Sequence, residues 1–330
     1  MTFELDQILI LLSLVGLTCY GSWIFFTINN NLKGAAAMSA LMFIIVLFLL
    51  WRVFRLNLDF GLILFLATIF AVLSWLIGIA LNLKNLISES KSYFWILLLI
   101  LSIRSFAYEP YQIPSSSMVP GLQIGDFVLV NKYAYGLKLP VINKLVVNVR
   151  EPKRGEVGVF LPPHTLCDSS PEEARPELAS IPVRESQVFL NKFLYLQKDR
   201  CTYLGIKYIK RIIGVPGDKV EIRGEDLFIN GNKLNRKFII QNKEERFYSE
   251  QLDNLNYTVR YLGLKEYENY VWEIPPNKYL AIGDNRDNSL DSRDWGYFSK
   301  EHLIGRGEFI WMHWGSFSEL PTFKRNRRIK

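Results

Sequence analysis

The chain has 330 residues, 49% hydrophobic and 22% charged, with a formal charge of +7 and three cysteines. That length holds one or two domains. No helix-turn-helix, zinc-finger or RNA-binding signature accompanies the positive charge, so nucleic acid is not an expected partner, and three cysteines are too few for a disulfide framework.

The N-terminal third, residues 1–103, is almost free of charge. Gln7 to Leu32 carries none, Ala35 to Trp51 is a second apolar stretch, and Phe60 to Leu81 a third. Each reaches the ~17–25 residues that cross a bilayer. A fourth stretch, Tyr93 to Tyr108, is interrupted by Arg104 near its end, where a long side chain can snorkel to the interface. Tyr93, Trp95 and Tyr108 suit an aromatic belt. A cleaved signal peptide is rejected for the first stretch, because Glu4 and Asp6 stand where a basic leader belongs and more spans follow. Four spans bring both ends of this region to one side. If that side is outside, Lys33, Lys84 and Lys91 lie inside and Arg52 and Arg55 outside, a weak positive-inside bias.

From about Pro110 short alternating runs appear, broken by Gly and Pro. Phe127–Val130, Val157–Phe160, Ile206–Ile213, Tyr279–Ile282 and Gly307–Met312 read as strands. Asp226–Leu234 reads as a hairpin turning at Asn230-Gly231. No long helical periodicity competes. The expected architecture is N-terminal transmembrane α-helices over 1–108, then a mostly antiparallel β domain over 109–330. A Pro- and charge-rich insertion at 161–205 is either a mobile loop or a partly ordered subdomain. Cys167 and Cys201 flank that segment and could pair in an oxidising compartment, whereas Cys19 lies in an apolar run. The basic tail Lys324, Arg325, Arg327, Arg328, Lys330 reads as a solvated terminus, with anionic lipid headgroups as the alternative contact. Trp311–Trp314, with Phe309 and Phe317, reads as a buried strand, with the bilayer surface as the alternative.

Three clusters carry chemistry. Ile113-Pro-Ser-Ser-Ser-Met118 follows the last span by a few residues, so its hydroxyls lie near the membrane surface. In Tyr208-Ile-Lys-Arg211, strand alternation puts Lys210 on one face with Ile206, Tyr208 and Ile212, while Lys207 and Arg211 point the other way. A lysine among apolar neighbours loses basicity, since burial penalises the charged form, and only the neutral amine can take a proton from a serine. Gly283-Asp-Asn-Arg-Asp-Asn-Ser289, continuing to Arg293, alternates Asp and Asn as a calcium loop does. Its two arginines oppose a cation and the bidentate Glu is missing, so salt-bridged scaffolding is the better reading. His164, His302 and His313 have no metal-ligand spacing and sit in no distinctive motif, which leaves lysine as the expected base.

Together these clusters resemble the type I signal peptidases of the Gram-negative inner membrane. The match runs from about Ser92 to the C-terminus and includes Arg104–Met118, Gly125–Val130, Pro152–Gly155, Tyr208–Arg211, Gly214–Asp218, Gly283–Ser289 and Asp291–Gly296. The resemblance implies a membrane-bound serine endopeptidase whose catalytic domain is periplasmic. It implies Ser117 as nucleophile, Lys210 as general base, and the Ser115 hydroxyl with the Ser117 N–H as oxyanion hole. Ser289 would orient the lysine amine, with Asp284, Asp291 and Arg293 in support. Tyr111, Ile113, Met118, Val128, Val159, Tyr208 and Ile209 would line the pockets for small residues of the substrate. The implied partners are signal peptides of exported preproteins, membrane lipids and the secretion machinery, with no metal or organic cofactor. A catalytically inactive relative that binds preproteins is the alternative. Two features depart from the family: Ser116 stands where many members have Gly, and the pair of stretches Ala35–Trp51 and Phe60–Leu81 is extra.

Overall fold

The computed structural model describes residues 7–55, 60–106, 108–138, 145–180, 183–202, 205–263, 269–316 and 319–329. The chain divides into two compact units, Met1–Ser102 and Ile103–Lys330. Glu4, Asp6, Phe317 and Lys330 fall outside the described residues.

The first unit is built from the helices Gln7–Ile28, Leu32–Arg55, Phe60–Ala80 and Lys84–Phe106, four segments long and apolar enough to cross a membrane. Asn30 (φ 53°) and Asn82 (φ 54°) close two of the connections. Asparagine tolerates this left-handed conformation, which stops one helix and lets the next begin within two residues. The hydroxyls inside the helices bond back to their own backbone: Ser13 Oγ donates to Leu9 O at 2.8 Å, Thr27 Oγ1 to Trp23 O at 2.8 Å and Thr68 Oγ1 to Leu64 O at 2.7 Å. Such a helix leaves few polar groups for lipid to meet. The fourth helix starts at Lys84 rather than Tyr93. Its first turns carry Lys, Asn, Ser and Glu, which helices accept but a hydropathy window does not count.

The second unit centres on an eight-stranded antiparallel sheet. Its strands run Tyr108–Gln112, Asp126–Asn131, Leu303–His313, Val157–Phe160, Tyr208–Gly214, Lys278–Ile282 and Phe298–Ser299 across the sheet, with Arg327–Arg328 added to Leu303–His313. Smaller antiparallel sheets share a buried apolar cluster with it, one from Asn235–Asn242, Glu245–Leu252 and Leu255–Tyr261, another around Lys219–Arg223. The hairpin turn is where the sequence puts it: Asn230 (φ 52°) and Gly231 (φ 79°) both take the left-handed values of a tight two-residue turn. The lysine strand begins at Tyr208, two residues later than the apolar run suggests.

The structure decides readings that the sequence left open and changes others. Of the two readings of the insertion, the structure favours the partly ordered subdomain: it carries an 18-residue helix, Val183–Arg200, whose buried face is Phe189, Phe193 and Leu196. These stand at i, i+4 and i+7, a helical signal blurred by the exposed apolar residues Leu194 and Tyr195 among them. Cys167 and Cys201 are disulfide-bonded. The basic tail is docked, not simply solvated: Arg325 donates to both oxygens of the buried Asp126 carboxylate at 2.8 Å each, and Arg327 Nη2 donates to Gly121 O at 2.6 Å. Trp311 belongs to the long strand Leu303–His313, half-buried and edge-on to Phe127. Arg104 does not merely snorkel, for its guanidinium meets the buried Glu109 carboxylate at 2.5 Å, which Lys132 also contacts at 3.0 Å.

Candidate active site

The serine cluster is an arch anchored at both ends in one apolar cluster, by Ile113 and Met118, both buried. Ile113 exchanges backbone hydrogen bonds with Asp126 and Gly125 at 2.8 and 2.9 Å, and Leu122 N closes a turn on Met118 O at 2.9 Å. From the other side the loop at 283–289 holds the arch. Asn285 N donates to Ser117 O and Asn285 Nδ2 to Ser116 O, each at 3.0 Å, and Asn288 Nδ2 donates to Ser116 Oγ at 3.1 Å. Gly283 permits this approach. A Cβ there would lie 2.2 Å from Ser289 Oγ and 2.6 Å from Ser117 O, too close for any side chain. Neither asparagine was singled out in the sequence; the only cue was their place among turn formers.

Lys210 Nζ lies 2.5 Å from Ser117 Oγ and 3.2 Å from Ile209 O. Ser115 Oγ stands 3.3 Å from Ser117 Oγ. The lysine is 4% exposed. Its strand lies within the sheet, and its cross-strand neighbour is Gly158, with Val159 opposite Ile209. Burial pulls the Lys210 amine down to about 8, against the opposing pull of the Asp291 and Asp284 carboxylates. Tyr208, two residues before it on the same face, presents its ring 5.3 Å from Nζ.

The acidic loop is a scaffold of buried ion pairs. Arg211 grips Asp284 with two bonds of 2.8 and 2.7 Å and also donates to Gly155 O at 2.6 Å. Arg211 does point away from Lys210, but into the protein rather than to water. Arg293 grips Asp291 with two bonds of 2.8 Å and donates to Arg286 O at 2.7 Å. Burial alone would raise the Asp291 carboxyl; the Arg293 guanidinium outweighs it and holds the group at about 2. Asp291 also caps the short helix Ser292–Trp295 and accepts from Gly283 N at 3.0 Å, so one carboxylate ties the glycine contact to the ion pair. Arg286 pairs with the buried Glu250 carboxylate. Ser289 is buried beside Gly283, next to the Asp291 carboxylate that its hydroxyl helps to keep ionised, and no hydrogen bond links its Oγ to the lysine amine.

Six of the expected pocket residues gather in one apolar cluster: Ile113, Met118, Val128 and Val159 buried in it, Tyr111 and Ile209 partly buried against it. Only those last two offer appreciable surface to a ligand. Tyr208 packs against a different cluster, with Phe160 and Trp295. A cavity of about 800 Å³, lined by Met118, Gly121, Arg211, Ile240, Tyr257 and Ile329 among others, reaches neither Ser117 nor Lys210. The histidines are engaged elsewhere: His313 Nδ1 meets Asp126 at 2.8 Å, and His164 is buried against Tyr208 and Trp295.

A serine hydroxyl against a buried amine of lowered basicity, braced by buried ion pairs on an antiparallel β unit, is the geometry of a serine–lysine hydrolase. Comparison with known proteins narrows the class. The sequence profile described as "Signal peptidase, peptidase S26" matches residues 86–314, and the chain belongs to that family. It is 35% identical over 274 residues to signal peptidase I of Pseudomonas fluorescens, covering 76% of this chain and 82% of the relative. Signal peptidase I of Pseudomonas aeruginosa is 34% identical over 269 residues, 74% of this chain and 80% of the relative. That of Haemophilus influenzae is 30% identical over 268 residues, 72% and 73% respectively. A solved signal peptidase I from Enterococcus faecalis aligns with 48% of this chain and 98% of its own at 19% identity and a TM-score of 0.25, a likeness that carries no argument about the fold.

Proposed function

We propose that this chain is a membrane-anchored endopeptidase that removes N-terminal signal peptides from exported preproteins, with Ser117 as nucleophile and Lys210 as general base. The observation that carries the reading is the 2.5 Å approach of Lys210 Nζ to Ser117 Oγ at a buried site. With the amine at about 8, roughly a tenth of the molecules hold it neutral at pH 7, against less than about a thousandth for an ordinary lysine.

Neutral Lys210 takes the Ser117 proton as Oγ attacks the scissile carbonyl carbon. The carbonyl π pair moves to oxygen, where the Ser115 hydroxyl and the Ser117 N–H stabilise the oxyanion. Collapse breaks the C–N bond, Lys210 returns the proton to the leaving amine, and the mature protein departs. Lys210 then deprotonates a water that attacks the acyl carbon, releasing the signal peptide and restoring the serine. The Arg211–Asp284 and Arg293–Asp291 pairs keep the lysine strand and the serine arch in register. Ser289 supplies a further hydroxyl beside them. Tyr111 and Ile209 provide apolar surface for the small residues before the cleaved bond.

In this reading residues 1–108 form a multi-pass domain in the bacterial inner membrane. Residues 109–330 form the catalytic domain on the periplasmic side, where the Cys167–Cys201 disulfide suits the compartment. The secretion machinery delivers the substrate. The test is cleavage of a preprotein carrying Ala-X-Ala before its junction, by detergent-solubilised full-length protein. Wild type cuts at the junction, while Ser117→Ala and Lys210→Ala lose cleavage by about a thousandfold or more; substantial turnover by either variant refutes the assignment.

A further inference from the structure

The insertion 161–205 reaches the lysine strand. Its two ends are tied together: Cys167 bonds Cys201, Thr202 N donates to Thr165 O at 2.9 Å, and Gln197 Nε2 donates to Leu166 O and Ser169 O at 2.8 Å each. This closure brings His164, at the start of the insertion, beside Arg200, at the end of its helix, and both meet the same atom. Arg200 Nη1 lies 3.1 Å from Tyr208 Oη, and His164 Nε2 lies 3.4 Å from it.

Arg200 can only donate, so it occupies an acceptor site of the phenol oxygen, while the direction of the bond between Tyr208 Oη and His164 Nε2 is set by the imidazole tautomer. Burial, reinforced by the nearby Arg200 charge, pulls His164 down to about 3 and keeps it neutral across the physiological range. The His164 ring also stacks on Trp295 at 5.8 Å, and Trp295 ends the short helix that Asp291 caps. His164 therefore stands between the strand that carries Lys210 and the helix that carries the Asp291–Arg293 pair.

We propose that the insertion positions Lys210 for proton transfer by gripping Tyr208 through His164 and Arg200. The inference rests on the assignment of Lys210 as the base. Tyr208 and Lys210 lie two residues apart on one face of one strand, so a fixed tyrosine ring at 5.3 Å walls off one side of the amine. The other charged groups acting on that amine are Asp291, Asp284 and Arg293. The insertion supplies none of them, and acts on the lysine through the ring. A released ring lets water reach the amine and favours its charged form. The attraction of a ring face for an ammonium works in the opposite direction, but burial is the largest influence on Lys210.

The experiment is the pH dependence of preprotein cleavage by the full-length protein in detergent, for wild type, His164→Phe, Arg200→Ala and Lys210→Ala. His164→Phe keeps a ring against Trp295 and removes the nitrogen that meets Tyr208; Arg200 is exposed, so Arg200→Ala removes the guanidinium donor without emptying a core. In both variants the acid limb of kcat/KM moves up by about one pH unit and cleavage at pH 7 falls about tenfold. KM stays within about twofold, and activity converges on wild type above the shifted limb. A limb that stays in place in both variants, or a deficit equally deep at every pH, overturns the proposal. Turnover by Lys210→Ala would instead overturn the assignment of the base, so the two failures are separable.

Discussion

The two units treat polar groups in opposite ways. In the helices of residues 7–106 apolar side chains face outward, and a hydroxyl such as Thr68 Oγ1 is satisfied by a carbonyl one turn back on its own helix. In the β unit the interior holds charge. Arg211 with Asp284 and Arg293 with Asp291 are almost wholly buried, each guanidinium forked onto its carboxylate. A local bond within one helix needs no tertiary structure. A buried ion pair between residues 73 positions apart exists only once the fold has formed, and either partner left alone is costly. The β unit thus concentrates its most demanding interactions around Lys210 and Ser117, where a hydroxyl and an amine must be held at a fixed distance.

That contrast can be broken by substitution. Asp284→Ala leaves Arg211 buried without its counter-charge, and we expect a loss of about 3–5 kcal/mol in stability, together with activity, because the serine arch leans on the same loop. Denaturation of the solubilised protein followed by tryptophan fluorescence measures it; an unchanged midpoint would mean that the pair is dispensable. Thr68→Val is the counterpart in the helices. It removes a hydroxyl whose acceptor carbonyl lies in a helix, and we expect a change within about 0.5 kcal/mol and unaltered cleavage. A large loss there would place a tertiary role on a residue whose hydrogen bond to Leu64 O is local.

What could be read from sequence divides along the same line. The spans were legible because some twenty apolar residues in a row have few other uses, and the Asn230-Gly231 hairpin because its backbone conformation demands those residues. The serine cluster, Lys210 and the acidic loop were legible as motifs through a family resemblance. Strand alternation suggested a lysine with apolar neighbours, but not its distance from a serine 93 positions away. Long-range pairing was invisible. Nothing near Arg325 in the sequence points to Asp126, and nothing near Arg211 separates an ion pair inside the protein from one at its surface. The Val183–Arg200 helix was missed for a different reason: its buried face is only three residues, diluted by exposed Val188, Leu194 and Tyr195.

The proposed mechanism turns on a neutral, buried Lys210 acting as the base. The most direct measurement is kcat/KM for preprotein cleavage from pH 5 to 10, with Lys210→Ala as the control. The base works only when deprotonated, so activity must rise with pH and be lost as pH falls through the lysine's own value. The limb is expected to centre near pH 8, set by the burial that brings the amine to about 8, with no cleavage by the variant. A limb near the ordinary histidine value of about 6.5, or cleavage that survives the loss of Lys210, would contradict it.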